Sequence, residues 1–245
     1  MNYLKYCTFI LALSLISCSE LNLGELAESI PSSLPSSEAP LSQAEVSQGL
    51  KEALIQGVKQ SVLLASVEDG FYGNQALFIP FPEEASKVKE TALKFGLDTQ
   101  VANFERTLNR AAEEASKSAT NIFVDAIKNM SIEDAFAILQ GGETAASDFL
   151  MQKTRTQLET SFAPKVQGAI EKVELTKYWE PLISKYNIAT QFTGGEPVNE
   201  DLEGYVTDRA IDGLFIHIKE EEQKIRSNPA ARATELLKRV FGSVD

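Results

Sequence analysis

Residues 98–129 read DTQVANFERTLNRAAEEASKSATNIFVDAIKN, and the spacing within that stretch decides the fold class. Val101, Phe104, Leu108, Ala112, Ala115, Ala119, Ile122, Phe123 and Ala126 recur mostly at intervals of three and four, the period of a helix with one buried face. Gly96 suits the end of a preceding helix, and Asp98 stands where an N-cap belongs. The stretch predicts one long helix from Asp98 to about Asn129.

The same rhythm holds on both sides of it. Ser42 and Glu45 form a capping box before Val46, Leu50, Leu54, Val58 and Val62, so a helix runs to about Glu68, where Gly70 and Gly73 break it. After Pro82 a helix carries Val88, Leu93 and Phe95. Ser131 with Asp134 opens a short helix stopped by Gly141 and Gly142. Thr144 opens a longer one with Phe149, Leu150, Leu158 and Phe162 inward, which Pro164 is expected to break or kink before a further helix to about Val173. Thr176 to Ile188 reads as a short helix holding Trp179, with Pro181 in its first turn. Asp201 to Arg226 is strongly amphipathic, with Leu202, Tyr205, Val206, Leu214, Phe215 and Ile218 at core spacing. Asn228-Pro229 separates it from a last helix carrying Leu236, Leu237, Val240 and Phe241.

Only Phe71-Tyr-Gly-Asn-Gln-Ala-Leu-Phe-Ile-Pro-Phe-Pro82 resists a helical reading. Its two prolines and bounding glycines fit an extended apolar loop pressed onto the helices, anchored by Leu77, Phe78 and Ile79. The expected fold is therefore all-α: one multi-helix domain of eight to ten helices with one extended apolar loop. No fixed repeat points to a solenoid.

The N-terminus carries a different message. The run Phe9-Ile-Leu-Ala-Leu-Ser-Leu-Ile16 is too short to span a bilayer, follows Lys5, and leads into Ser17-Cys18. That is the layout of a lipoprotein signal, with residues 1–17 as leader and the Cys18 thiol placed to take a lipid. Residues 18–41 are rich in Ser and include Pro31, Pro35 and Pro40, the composition of a tether with a reach of roughly 25 Å. Residues 42–245 form the helical domain. Ser19 after Cys18 lacks the aspartate of inner-membrane retention, so the expected address is the periplasmic side of the cell envelope, at the outer membrane. The partner implied is the membrane, through the anchor.

The chain has 23 Lys+Arg against 35 Asp+Glu, a net charge of -12, which disfavours nucleic acid as a partner. With Cys7 lost in the leader and Cys18 acylated, no thiol remains for a disulfide, a metal site or a nucleophile. No phosphate loop, dinucleotide fingerprint or metalloprotease motif is present. No cofactor, metal site or catalytic residue is expected.

The domain resembles the bacterial lipoproteins grouped as domain-of-unknown-function family 4197. The resemblance rests on Asp69-Gly-Phe-Tyr-Gly-Asn-Gln-Ala-Leu-Phe-Ile-Pro80, Phe104-Glu-Arg-Thr-Leu-Asn-Arg-Ala-Ala-Glu113, Phe123-Val-Asp-Ala-Ile-Lys-Asn-Met-Ser131 and Leu139-Gln-Gly-Gly142. Tyr205-Val-Thr-Asp-Arg-Ala-Ile-Asp-Gly-Leu-Phe215 and Glu220-Glu-Glu-Gln-Lys-Ile-Arg-Ser-Asn-Pro229 complete it. It implies an exported, mainly helical domain and brings no catalytic residues with it.

Candidate site residues come from the charge pattern. Asn103, Arg106, Asn109, Arg110 and Glu113 fall at helical intervals, so Arg106 and Arg110 are placed to fork onto an anion together. Asp208, Arg209 and Asp212 form a second cluster. Either the two clusters pair and hold two helices in register, or they line a polar pocket for a small anionic ligand. His217, the only histidine, reads as a surface or boundary residue, and Glu220-Glu221-Glu222 as a solvated face. The aromatic residues Phe71, Tyr72, Phe78 and Phe81 suit a core-tucked loop or a binding lip; Tyr178, Trp179 and Tyr186 suit packing or sugar stacking.

Three function classes remain open: a non-catalytic binding or interaction module for an envelope protein or small ligand, an envelope hydrolase using carboxylates or His217, and a purely structural envelope protein. The anchor is testable by itself. Cys18→Ala should move the protein from the membrane fraction to the soluble fraction on cell fractionation, and continued sedimentation with membranes would refute lipidation.

Overall fold

The computed structural model describes residues 41–172, 179–194, 197–198, 201–232 and 235–242, all within one unit that begins at Leu41. The leader, Cys18 and the tether up to residue 40 lie outside the described residues, as does the expected helix start at Thr176. The fold is all-α. Among the described residues there are nine α-helices and no strand: α1 (Gln43–Ser66), α2 (Ser86–Lys94), α3 (Asp98–Ser116), α4 (Ala119–Lys128), α5 (Ile132–Gln140), α6 (Ala145–Ile170), α7 (Trp179–Thr193), α8 (Leu202–Ser227) and α9 (Glu235–Gly242).

Local chemistry starts several of these helices where the sequence predicts. Ser42 Oγ accepts the Glu45 N–H at 3.3 Å while Glu45 Oε2 accepts the Ser42 N–H at 2.8 Å, which also holds the Glu45 carboxyl below the usual range. Ser131 and Asp134 repeat the device at α5, with both bonds at 3.0 Å. Gly96, at φ 73°, closes α2: Leu97 N–H reaches Ala92 O at 3.0 Å and Gly96 N–H reaches Leu93 O at 2.9 Å. This turn puts Leu97, not Asp98, at the N-cap of α3, so Asp98 lies in the first turn and makes no capping bond.

Two helix boundaries differ from the sequence reading. The stretch 98–129 is two helices, bent at Lys117–Ser118. Ser116 Oγ and Ser118 Oγ each donate back to a carbonyl of the preceding turn at 2.7 Å, Ala112 O and Ala115 O, a pattern that competes with the helical ladder. Conversely, α6 runs unbroken through Pro164. Pro164 and Thr160 are exposed, so the carbonyl that loses its donor faces water, and buried Phe162 and Val166 hold the turns on either side.

The core lies between α1, α3, α4, α6 and α8, where α6 packs on both α3 and α8 and α1 packs on α8 and α4. Phe104, Phe123, Phe162, Leu108, Leu150, Leu158 and Leu214 are fully buried there, each contributing about 1.5–3 kcal/mol of transfer free energy. Phe123 meets Phe215 edge-on, 5.6 Å between centroids. A second cluster, Leu50, Ala53, Met130, Ile138, Leu139 and Val240, joins α1 to α5 and α9.

The segment between α1 and α2 is a chain of turns and not an extended strand. Gly73 N–H bonds Asp69 O, Asn74 N–H bonds Phe71 O, and Phe78 N–H bonds Asn74 O. Its buried anchors are Phe71, Leu77, Ile79 and Phe81, whereas Phe78 is half-buried against the Tyr72 ring at 5.8 Å. The turns succeed one another because Asn74 and the flanking glycines satisfy backbone groups locally, which leaves alternate side chains free to enter the core.

Phe71 packs directly on Gly213 of α8: a Cβ there would come 2.6 Å from Phe71 Cε1 and 3.0 Å from Cζ. Helix propensity alone favours alanine by about 1 kcal/mol. We expect Gly213→Ala nonetheless to destabilise the protein by about 1–3 kcal/mol, because Phe71 is enclosed and cannot swing away. Urea unfolding measures this; an equal or higher midpoint would mean that the loop is not seated on α8.

Candidate functional site

The polar face of α3 is occupied by the loop. Asn109, fully buried, accepts the Ile79 N–H at 2.8 Å through Oδ1 and donates Nδ2 to Ile79 O at 2.9 Å and to Glu105 O at 2.7 Å. Glu113 Oε1 accepts the Phe71 and Tyr72 N–H groups at 3.1 and 3.2 Å. Glu105 Oε1 accepts the Phe81 N–H at 3.1 Å and Lys89 Nζ at 2.6 Å. These carboxylates and the amide satisfy backbone donors that the irregular chain brings into the core.

The two arginines do not converge. Arg110 donates to Glu113 at 2.6 Å, Asp69 at 2.8 Å and Glu68 at 3.1 Å, and the Glu113 bond is the first cause of its raised pKa. It thereby fixes Asp69, whose φ of 65° is left-handed. Arg106 lies with its guanidinium 5.4 Å from the Tyr72 ring centre. Asn103 is exposed.

Nor does the second cluster pair with the first. Asp208 and Asp212 accept from Arg155 of α6 at 2.9 and 3.1 Å, and Arg155 also bonds Glu159 at 3.0 Å. Arg209 stacks on Tyr205, 5.6 Å from its ring centre, while the Tyr205 hydroxyl donates to Pro80 O at 3.1 Å. His217 is buried and contacts Glu220 Oε2 through Nδ1 at 3.0 Å.

The acidic run Glu220–Glu222 is not uniformly solvated. Glu222 is buried and crosses to the start of α6, accepting Ala146 N–H at 3.0 Å, Ser147 N–H at 2.9 Å and Ser147 Oγ at 2.7 Å. Arg226 Nη2 pairs with it at 2.9 Å and reaches Ile138 O of α5 at 2.8 Å. A capping carboxylate is thus supplied from another helix, where Thr144 makes no side-chain cap. Arg155 and Glu222 escape a sequence reading because the partners they reach on other helices, Asp208 and Asp212 for one and Ala146 and Ser147 for the other, are distant in the chain.

A different surface has the form of a ligand site. A groove of about 660 Å³ lies between α2, the start of α3 and the middle of α7. Phe81, Val88, Ala92, Phe95, Leu97 and Val101 line it, with Tyr186 opposite. Phe95 is 79% exposed, and no residue of α2 is buried. Lys87 and Lys185 stand at the groove and have no ion-pair partner among the described residues, whereas nearby Lys89 is bonded to Glu105. On α7, Ile188 and Phe192 follow Lys185 at helical spacing and are 55% and 85% exposed, so apolar surface continues along that helix. The sequence signal for this groove was the run Val88, Leu93 and Phe95, which reads equally as a core stripe.

No three His, Cys, Asp or Glu side chains among the described residues are placed to hold a metal ion, and no helix among them is long and apolar enough to cross a membrane.

Fold and groove together define an all-helical domain with an apolar cleft. Residues 40–242 match the family described as Protein of unknown function (DUF4197), and the chain belongs to that family. Neither the curated proteins nor the solved structures offer a match to it.

Asn109 gives the sharpest test of the loop's attachment. Asn109→Ala leaves the buried Ile79 N–H and C=O unpaired, at about 1–3 kcal/mol for each group. We expect a loss of roughly 2–5 kcal/mol in chemical denaturation, against less than about 0.5 kcal/mol for exposed Asn103→Ala. Equal effects at the two positions would show that the loop contributes nothing to stability.

Proposed function

We propose that this protein is a non-catalytic binding module of the cell envelope, held by lipid on Cys18 at the periplasmic face of the outer membrane, and that its ligand occupies the groove between α2, α3 and α7. The observation that carries this reading is the unburied apolar face of α2. A short helix with Val88, Ala92 and Phe95 on its surface leans on α3 and leaves a cleft of about 660 Å³, within the range of roughly 300–1,000 Å³ of small-molecule sites. The polar clusters support the same reading by subtraction, since Asn109, Arg110, Glu113, Asp208 and Asp212 are engaged within the domain. Nucleic acid is no part of the proposal, given the net charge of -12.

A neutral fluorescent naphthylamine probe tests it. The domain 41–245, which carries both core clusters, should bind the probe saturably. Thr91→Trp, which fills the groove from an exposed position, should weaken binding at least tenfold without lowering the melting temperature. Absence of saturable binding, or binding unchanged in Thr91→Trp, would sink the groove as the site.

A further inference from the structure

We infer that the occupant of the groove is a monomeric single-chain amphiphile with an anionic headgroup, its chain along the apolar floor and its headgroup between Lys87 and Lys185; this rests on the groove being the binding site. Three features argue for it. The floor is apolar, with Phe81, Val88, Ala92, Leu97 and Val101 offering no charged group to an occupant. Such a surface suits hydrocarbon, and each methylene it covers strengthens binding.

The second feature is size. A methylene takes up about the volume of a water molecule, roughly 30 Å³, so the cleft holds on the order of twenty such groups. One acyl chain of about a dozen carbons with its headgroup matches that volume.

The third is charge. Where the chain as a whole is strongly acidic, the cations facing this cleft have no carboxylate partner among the described residues. Lys89, two residues after Lys87 on α2, is already paired with Glu105 at 2.6 Å. Lysine ammoniums are compact point charges that accept a carboxylate or a phosphate without demanding a planar fork. An anion placed between them completes the pairing that the fold leaves open, and a cationic headgroup or a lysine-rich peptide would not.

Competition against the naphthylamine probe on the domain 41–245 at low salt separates chain from headgroup. Dodecanoate, dodecyl phosphate, dodecanol and dodecyltrimethylammonium share one chain and differ in charge. Both anions should displace the probe at roughly tenfold lower concentration than the ammonium compound, and 0.5 M salt should shrink that ratio. Decanoate, two methylenes shorter, should bind roughly fivefold to fifteenfold more weakly than dodecanoate. In the Lys87→Gln/Lys185→Gln variant the headgroup preference should vanish while dodecanol affinity stays within twofold. A preference of dodecanoate over dodecyl phosphate, or the reverse, identifies the headgroup and supports the inference either way. Displacement independent of headgroup, or a preference that survives in the double variant, overturns it while leaving the groove as a binding site. Binding to anionic vesicles without displacement by any monomeric anion would replace the monomer with a membrane surface. A wild-type dimer that Phe95→Ser converts to monomer would make the groove an interface between copies, and either result defeats the inference.

Discussion

A buried stretch of irregular chain must have every peptide group satisfied, and that constraint organises this domain. The turns from Asp69 to Phe81 enter a helical core where no neighbouring strand can offer hydrogen bonds. The partners come from one face of α3. Asn109 presents both an acceptor and a donor to Ile79, imitating a peptide group, while Glu113 and Glu105 take the N–H groups of Phe71, Tyr72 and Phe81. Both carboxylates are themselves paired, buried Glu113 with Arg110 and half-buried Glu105 with Lys89, as enclosure of a charge requires. The same solution recurs between α7 and α8, where Asn187 exchanges two bonds with the backbone of Val198 at 2.7 and 2.8 Å.

The helix ends obey the same constraint over longer distances. Ser42 and Ser131 cap locally, with an acidic residue three places on. The start of α6 has no such neighbour and takes its carboxylate from Glu222, on α8. Arg226 ties that carboxylate to the last turn of α5, so one buried pair fixes three helices in register. Removing Glu222 would leave two peptide donors unpaired and the Arg226 guanidinium without its carboxylate, with only Ile138 O to bond, a loss of the kind that costs about 3–5 kcal/mol.

This division explains which features were legible in the sequence. Helix periods, both capping boxes and the αL glycine at Gly96 depend on residues within one turn of each other, so pattern alone reveals them. The all-α class follows from the same local evidence, while the family resemblance rests on contiguous blocks of sequence such as Asp69–Pro80 and Tyr205–Phe215. The loop was half legible: Leu77 and Ile79 are anchors, but Phe71 and Phe81 carry the burial that the pattern assigned partly to Phe78. Register between helices was not legible. Asp208 and Asp212 look ready for any cation, and only packing of α6 on α8 selects Arg155 over Arg106 or Arg110. The bend at Lys117–Ser118 and the continuity through Pro164 likewise depend on which face meets water.

The groove was hidden for a related reason, and its position has a consequence. Apolar residues of α2 have the spacing of a core stripe, and sequence cannot say that no helix among the described residues covers them. Glu105 links the two regions, since one oxygen receives both the end of the loop and Lys89 of α2. The first bond belongs to the framework, while the second holds a helix that packs chiefly on α3. Stability therefore resides in the central helices and the pinned loop, where most large side chains are fully enclosed. The surfaces of α2 and α7 add little to it and remain free to change. A domain built this way can alter what its cleft accepts without renegotiating the hydrogen bonds that keep the loop in the core.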